Sequence, residues 1–182
     1  MHISIAGKLG SGKSTICNIL RERYGFTVYS TGAILREIAA QQNVSALEIN
    51  QILVGDATID NEIDAAVTKL SIEKNDEVII FDSRMAWKFA NNSFKVYVEV
   101  DPAEAARRVF GAKRGAVEEY TSAEDAQEKL IKRSLVENER FKQIYGVDNF
   151  DHANYDLVID STNATPQEMA DIIYAKYQER VS

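Results

Sequence analysis

A glycine-rich run near the start of the chain has the residue types and spacing of a phosphate-binding loop. Residues 7–14 read Gly-Lys-Leu-Gly-Ser-Gly-Lys-Ser and follow the pattern G-x-x-x-x-G-K-[ST]. In such a loop the backbone N–H groups converge on nucleotide phosphates, the lysine neutralises the β and γ oxygens, and the final hydroxyl binds Mg²⁺. We therefore predict a nucleotide site that consists of Gly7, Lys8, Leu9, Gly10, Ser11, Gly12, Lys13, Ser14 and Thr15.

Two arginines and an acid are spaced so that they could handle the phosphate of an acceptor. Arg36 lies one helical turn after Gly32, and Arg84 follows an apolar strand that ends at Asp82. A guanidinium suits this task because it forms bidentate hydrogen bonds with oxyanions. Asp82 could hold Mg²⁺ or accept hydrogen bonds from hydroxyls of the loop. We predict an acceptor site of Ser30, Gly32, Arg36 and Arg84, and a metal site of Ser14 and Asp82.

Further arginines belong to a region at about 111–145, which we interpret as a mobile lid. Arg108 and Arg133 lie in or beside it, and Arg114 lies in a predicted hinge between Gly111 and Gly115. Closing a lid over the nucleotide would bring positive charge to the transferred phosphate and exclude water. We predict that the catalytic residues are Lys13, Arg84, Arg108 and Arg133, although any one arginine could instead be an ordinary solvated side chain.

Three charged residues outside these groups allow more than one interpretation. Asp60 and Asp64 stand at i, i+4 on one face of a predicted helix, and we expect them to be solvated acids. Arg140 lies two helical turns after Arg133, which permits a joint role. The same position equally permits a surface pair with Glu137 or Glu139.

The elements that must position these residues alternate between strand and helix. Apolar runs predict strands at His2–Ala6, Phe26–Ser30, Glu77–Asp82, Phe94–Val100 and Tyr155–Asp160. Capping signals predict helices after Ser45, Asp101 and Thr165, the first of them reaching about Val54. A long polar helix or helix pair is predicted from about Ser122 to Tyr145. The last helix is expected to bury Met169, Ile172, Ile173 and Tyr177. This order predicts an α/β fold with a doubly wound, five-stranded parallel sheet that binds ligands at the carboxyl ends of its strands.

The length of 182 residues suits one domain with a sizeable core. We predict a single P-loop domain over 1–182 with two helical excursions between strands. The first, at about 31–74, would form the acceptor-binding region, and the second, at about 111–145, would form the lid.

Composition limits the partners that the chain can have. The net charge of −7 argues against binding to nucleic acid or to a membrane surface, since both need a basic face. The single Cys17 cannot form an intramolecular disulfide, and the isolated His2 and His152 do not suggest zinc. Trp87 could stack on a base or fill the core. Because of this single cysteine, and because the first residues run into a strand rather than a leader, we expect a cytoplasmic protein. We also expect a monomer.

The motifs together resemble one known family. Five segments are similar to the cytidylate kinases of the short, archaeal-like type. They are Met1 to Thr15, 28–37, 82–87, Glu139 to Gly146 and the Tyr-Asp-Leu-Val-Ile-Asp strand at 155–160. The family has an acid where this chain has Ala33. It also reads Glu-Gly-Arg-Leu-Ala-Gly-Trp where this chain has Asp-Ser-Arg-Met-Ala-Trp from Asp82, without the second glycine.

The resemblance implies an activity. It implies transfer of the γ-phosphoryl group of ATP, with Mg²⁺, to a nucleoside monophosphate, CMP or dCMP. Two alternatives stay open from the residues alone. One is a P-loop kinase for another small acceptor such as dephospho-coenzyme A, and the other is a nucleotide-dependent ATPase or switch without a small acceptor.

Overall fold

A parallel β-sheet forms the centre of the molecule. The computed structural model describes residues 1–41, 43–53, 57–111 and 120–182, so the predicted hinge with Arg114 and the predicted helix end at Val54 lie outside the described residues. The strands are β1 (His2–Gly7), β2 (Thr27–Ser30), β3 (Ile79–Asp82), β4 (Ser93–Glu99) and β5 (Leu157–Asp160). Within the described ranges they form a five-stranded sheet in the order β2-β3-β1-β4-β5, which confirms the predicted fold class.

The central strand β1 brings the glycine-rich loop to the middle of the carboxyl edge. It pairs in parallel with β3, where Ile5 lies opposite Asp82, and with β4, where Gly7 lies opposite Val98. Gly7 has a φ of 138°, and a Cβ there would lie 2.2 Å from the Val98 carbonyl oxygen. Only glycine fits this close approach of two strands.

Helices cover both faces of the sheet. They are α1 (Lys13–Tyr24), α2 (Thr31–Gln41), α3 (Ala46–Ile52), α4 (Thr58–Glu73), α5 (Ala86–Phe89), α6 (Pro102–Gly111), α7 (Ala123–Tyr145) and α8 (Pro166–Val181). The predicted caps are present: Ser45 and Thr165 form capping boxes, and Asp101 accepts from the N–H of Ala103. Ser122 also caps α7, since its side chain accepts from the Asp125 N–H. These caps fix the helix starts because they satisfy N–H groups that have no partner within the helix.

The main core lies between the sheet, α1 and α8. Cys17 is fully buried there, as are Met169, Ile173 and Tyr177 of α8. The prediction for Ile172 was wrong, because its side chain is 40% exposed. Met169, Ile173 and Tyr177 recur every four residues and form one face of the helix, whereas Ile172 lies a quarter-turn or more away from it.

A smaller apolar cluster holds the excursion between β2 and β3 together. It consists of Leu35, Ala39, Val44, Ile49, Leu53 and Ile59, which come from α2, α3 and the start of α4. This cluster is separate from the main core, so the excursion has packing of its own. None of the helices in the described ranges has the length and apolar character needed to cross a membrane.

Candidate active site

The glycine-rich loop holds its lysine inside its own curve. Lys13 is the first residue of α1, and its Nζ donates to the carbonyl oxygens of Gly7 at 2.9 Å and Lys8 at 2.6 Å. Burial and, to a smaller extent, the nearby charge of Arg84 lower the pKa of Lys13 to about 7. An anion bound in the loop would reverse this effect, because an opposite charge favours the protonated amine.

The loop rests against helix α6 at a glycine. Gly10 has a φ of 78°, and a Cβ at this position would lie 2.8 Å from the Cβ of Ala105. The backbone of the loop can therefore follow its curve only while residue 10 has no side chain. The N-terminus of α1 then points its unpaired N–H groups into the concavity, where they can bind phosphate.

Asp82 joins the loop to the end of the β2 strand. Its Oδ2 accepts hydrogen bonds of 3.0 Å from the hydroxyls of both Ser14 and Ser30. The two predicted metal residues are thus adjacent, and a hydroxyl beside a carboxylate is a donor set of hard oxygens that suits Mg²⁺. Within the described ranges no group of three or more His, Cys, Asp or Glu side chains is arranged to hold a metal.

A cleft of about 890 Å³, partly open to solvent, lies at the carboxyl edge of the sheet. The loop forms one side, with Lys13 and Ser14, and α2 forms another, with Gly32 and Arg36. The floor includes Asp82 and Arg84, and the helices α4 and α7 contribute Asp60, Asp64, Arg133, Glu137 and Arg140. Most of the predicted donor and acceptor residues therefore border one cleft. Ser30 is not among the lining residues, but its hydroxyl donates to Asp82, which is one of them.

Glu137 organises the arginines of the cleft. Its Oε2 accepts from Arg84 Nε and its Oε1 from Arg133 Nε, both at 2.9 Å. Burial alone would raise the pKa of Glu137, but Arg84, Arg133 and Arg140 together lower it to about 2. The sequence reasoning named both arginines and missed Glu137 as their common partner. The signal was present, because residues 133, 137 and 140 share one face of a helix.

The far end of the cleft is acidic and buried. Asp60 and Asp64 are each 6% exposed, so the prediction that they are solvated acids was wrong. Helix α7 covers their face of α4: Arg140 Nε lies 2.9 Å from Asp60 Oδ2, and the Tyr145 hydroxyl donates to Asp64. Arg140 is itself 1% exposed, which also rules out the surface pair considered for it.

Burial dominates the titration of these two acids. It raises the pKa of Asp60, although the charge of Arg140 opposes the rise. It raises the pKa of Asp64 to about 6, while the hydrogen bond from Tyr145 acts in the opposite direction. Both carboxylates therefore lack some of the stabilisation that water would give them.

Two further candidates lie outside the cleft lining. Arg108 donates to the carbonyl oxygens of Ser161 at 2.7 Å and Thr162 at 3.1 Å, and it pairs with Glu104. It is linked to the phosphate loop through Ser161, whose hydroxyl donates to the Ser11 carbonyl.

Trp87 fills the core on the outer side of the cleft floor. It is 7% exposed and packs in a cluster with Met85 and Phe141, two residues that line the cleft. Its indole N–H donates to Asn149 Oδ1 at 2.8 Å. Of the two interpretations given to Trp87, the core residue is the one that the structure supports.

Comparisons with known proteins agree with this arrangement. The sequence profile of the Cytidylate kinase-like family matches residues 2–163. A cytidylate kinase from Sulfolobus acidocaldarius is 35% identical over 174 residues, which are 95% of this chain and 92% of that protein. An S-adenosylmethionine-dependent nucleotide dehydratase from Lacinutrix mariniflava is 33% identical over 179 residues, which are 97% of this chain and 36% of that longer protein.

The solved structures similar to this chain share its fold. A shikimate kinase from Bacteroides thetaiotaomicron superposes with a TM-score of 0.61 and covers 100% of this chain, with 98% of its own length matched. The two sequences are 13% identical, so this likeness concerns the architecture alone.

Proposed function

The chain belongs to the Cytidylate kinase-like family, and from that premise we propose that it is an ATP-dependent kinase for CMP and dCMP. The proposal rests on one observation. A phosphate-binding loop lines one side of the cleft, and arginines that could hold an acceptor line the other side. A phosphoryl transferase needs little more than such positioning and charge.

On the donor side, the loop would hold the phosphates of ATP. Lys13 and the N–H groups at the start of α1 supply positive charge, and Ser14 with Asp82 would hold Mg²⁺. When bound, this ion would neutralise charge on the transferred phosphoryl group. Asp82 also keeps the Ser14 hydroxyl oriented, since its Oδ2 accepts a hydrogen bond of 3.0 Å from that hydroxyl.

On the acceptor side, Arg36 and Arg84 would hold the phosphate of the nucleoside monophosphate. A phosphate oxygen of the acceptor then forms a bond to the γ-phosphorus of ATP while the bond between that phosphorus and the β–γ bridging oxygen breaks, and ADP leaves. Arg133 lies beside Arg84 on the shared Glu137 and would screen the charge of the phosphoryl group in transit.

Family membership favours a nucleotide acceptor over the two alternatives. Relatives named cytidylate kinase are similar over nearly the whole chain, which supports CMP rather than dephospho-coenzyme A. A switch without a small acceptor would have no need for arginines that line the cleft opposite the loop.

The test is a coupled assay of ADP release with ATP and Mg²⁺ against a panel of acceptors. CMP and dCMP should raise ADP release well above the background of ATP hydrolysis, and UMP, AMP and dephospho-coenzyme A should raise it less. If no acceptor raises the rate, the protein is not a small-molecule kinase. A preference for another acceptor would replace CMP in the proposal.

Two variants separate the halves of the site. Lys13→Ala should abolish transfer to every acceptor, because the loop loses its cation. Arg84→Ala should raise the KM for CMP much more than the KM for ATP. The matched control is Arg23→Ala, which removes an exposed arginine that pairs with Asp171 far from the cleft. Unchanged CMP kinetics in Arg84→Ala would exclude Arg84 from the acceptor site.

A further inference from the structure

The residue that follows β5 connects the edge of the sheet to the phosphate loop. Ser161 is 2% exposed, and its N–H continues the sheet pairing by donating to the Glu99 carbonyl oxygen at 3.0 Å. Its hydroxyl lies 3.0 Å from the carbonyl oxygen of Ser11 and 2.9 Å from that of Glu99. A hydroxyl carries one proton, so these two carbonyls share it. Ser161 thereby joins the end of β5 to a loop at the other end of the sequence.

Ser11 is the point at which this contact enters the loop. It is 1% exposed, its hydroxyl donates to the Lys8 carbonyl oxygen at 2.8 Å, and its Oγ accepts from Lys13 Nζ at 3.3 Å. The residues on either side, Gly10 and Gly12, have left-handed φ angles of 78° and 84°. Because glycine leaves the backbone free to adopt other angles, the hydrogen bonds of Ser11 help to fix the peptide groups around it.

Arg108 holds Ser161 in this position. Its Nη2 donates to the carbonyl oxygens of Ser161 at 2.7 Å and Thr162 at 3.1 Å, and its Nη1 donates to the Ser161 hydroxyl oxygen at 3.3 Å. Its Nε donates to Glu104 at 2.8 Å, which anchors the guanidinium on α6. The rigid fork of a guanidinium suits this task because it can hold several acceptors at once.

We propose that Ser161, held by Arg108, is a positioning residue for the phosphate loop, an inference that rests on the proposed function for ATP as the ligand of the loop. The Ser161 hydroxyl fixes the Ser11 carbonyl, so that the peptide groups that follow direct their N–H groups toward the phosphates. Through Ser11 the same chain of hydrogen bonds reaches Lys13. Arg108, which the sequence predicts to be catalytic, then acts on the nucleotide through Ser161 without touching the transferred group.

The test measures the binding of ATP and of inorganic tripolyphosphate, which has phosphates without a base or a ribose. In calorimetry, Ser161→Ala should raise the Kd of both ligands by the same factor, about fivefold or more, because a buried carbonyl loses its donor. Arg108→Lys should act in the same way, since a lysine keeps the charge but cannot hold both carbonyls of the turn. The affinity for CMP should not change in either variant.

Two controls match these variants. Thr162→Val removes a hydroxyl of the same turn, whose partners are Asp101 and Asp160. Arg107→Lys alters the exposed neighbour of Arg108 that pairs with the same Glu104. Both controls should bind ATP and tripolyphosphate as the wild type does. Losses in the controls as large as those in the test variants would overturn the inference.

Three other results would also overturn it. A loss of affinity for ATP but not for tripolyphosphate would mean that these residues contact the base or the ribose. Unchanged affinities for both ligands would mean that Ser161 does not position the loop. Equal losses for ATP and CMP, together with a lower free energy of unfolding, would indicate a general structural role. Should Ser161→Ala fail to fold, as shown by circular dichroism, the two affinities of Arg108→Lys decide the matter.

The binding measurement needs no acceptor, so it is separable from the test of the proposed function. A wild-type protein that transfers phosphate to no acceptor would overturn the proposed function, and the affinities of the variants for ATP and tripolyphosphate would still decide this inference. A wild-type protein that binds ATP but not tripolyphosphate would overturn this inference alone, because the loop would then not hold its ligand by the phosphates.

Discussion

Glu137 is the residue on which the charge balance of the cleft depends. It neutralises Arg84 and Arg133 in a buried position, and its pKa is lowered to about 2. We expect Glu137→Gln to lower the free energy of unfolding by about 3 kcal/mol, because removing one partner leaves buried charges uncompensated. Urea unfolding measures this change. Glu139→Gln, on an exposed neighbour that accepts from Gln143, should have little effect.

Glu137 also makes the difference in unfolding free energy between wild type and Glu137→Gln depend on pH. A carboxyl whose pKa is lowered by folding stabilises the folded state at pH values above its ordinary pKa of 4.5. This contribution is lost as the pH falls toward the folded-state pKa of about 2. The stability gap between wild type and Glu137→Gln should therefore narrow over that window. A gap that stays constant would show that Glu137 acts by packing rather than by charge.

Asp64 should have the opposite pH dependence. Its pKa rises from 3.8 to about 6 on folding, so the folded state binds the proton more tightly and loses stability as the pH rises between these values. Tyr145, Asp60 and Arg140 face this carboxyl, and Lys69 borders a neighbouring cavity.

We expect the unfolding free energy of Asp64→Asn, minus that of wild type, to increase by about 2 kcal/mol between about pH 4 and about pH 7. The reason is that the amide carries no charge to desolvate. Urea unfolding of both proteins across this range checks it. A relative stability that falls with rising pH would contradict the burial of a charged carboxylate at this position.

Single residues could be predicted from the sequence where the chain itself supplies the context. Lys13 follows its glycines directly, and Asp82 ends an apolar run, so both could be identified locally. Asp60 and Asp64 could not, because acids at i, i+4 are usual on solvated helices and the residue that covers them, Arg140, lies 80 positions away. Burial by a distant segment leaves no local signature.

The contact between the loop and helix α6 depends on the shape of the backbone. We expect Gly10→Ala to raise the KM for ATP strongly, since the added methyl would lie 2.8 Å from the Ala105 Cβ at a left-handed φ. The measurement is nucleotide binding by calorimetry together with the KM. Gly25→Ala is the control: its φ is also positive, at 72°, but a Cβ there meets nothing within 4 Å.

The two glycine variants distinguish steric contact from backbone strain. Both should be less stable than wild type, because both residues are left-handed. Only Gly10→Ala should lose nucleotide affinity. Equal affinity losses would mean that the contact with α6 does not shape the loop.

Three of the helices were predictable because they carry their own start signals. The capping boxes at Ser45 and Thr165 and the Asp-Pro start at Asp101 are all present. The position of α7 over α4 was not predictable, since it arises from the pairing of Arg140 with Asp60 and of Tyr145 with Asp64. Helix faces that are polar in sequence can still pack against each other when their charges match.

At the scale of the whole molecule, the excursion between β2 and β3 is held by a small apolar cluster of its own, apart from the main core. We expect amides of α3 to exchange with solvent faster than those of β1 and α1, because a small cluster opens at lower free energy than the main core. CMP should slow exchange in α2 and α4, while ATP should slow it in the phosphate loop. Hydrogen-exchange mass spectrometry checks this, and uniform exchange throughout the chain would contradict it.

The position of Trp87 gives the protein a built-in optical signal. It is the only tryptophan in the chain, and it packs behind Met85 and Phe141, whose other sides face the cleft. The tryptophan fluorescence therefore reports on one environment. The side chains of Met85 and Phe141 separate this environment from the space that the acceptor would occupy. Nucleotide binding should shift the intensity or wavelength of this fluorescence, so the cleft can be titrated without any label.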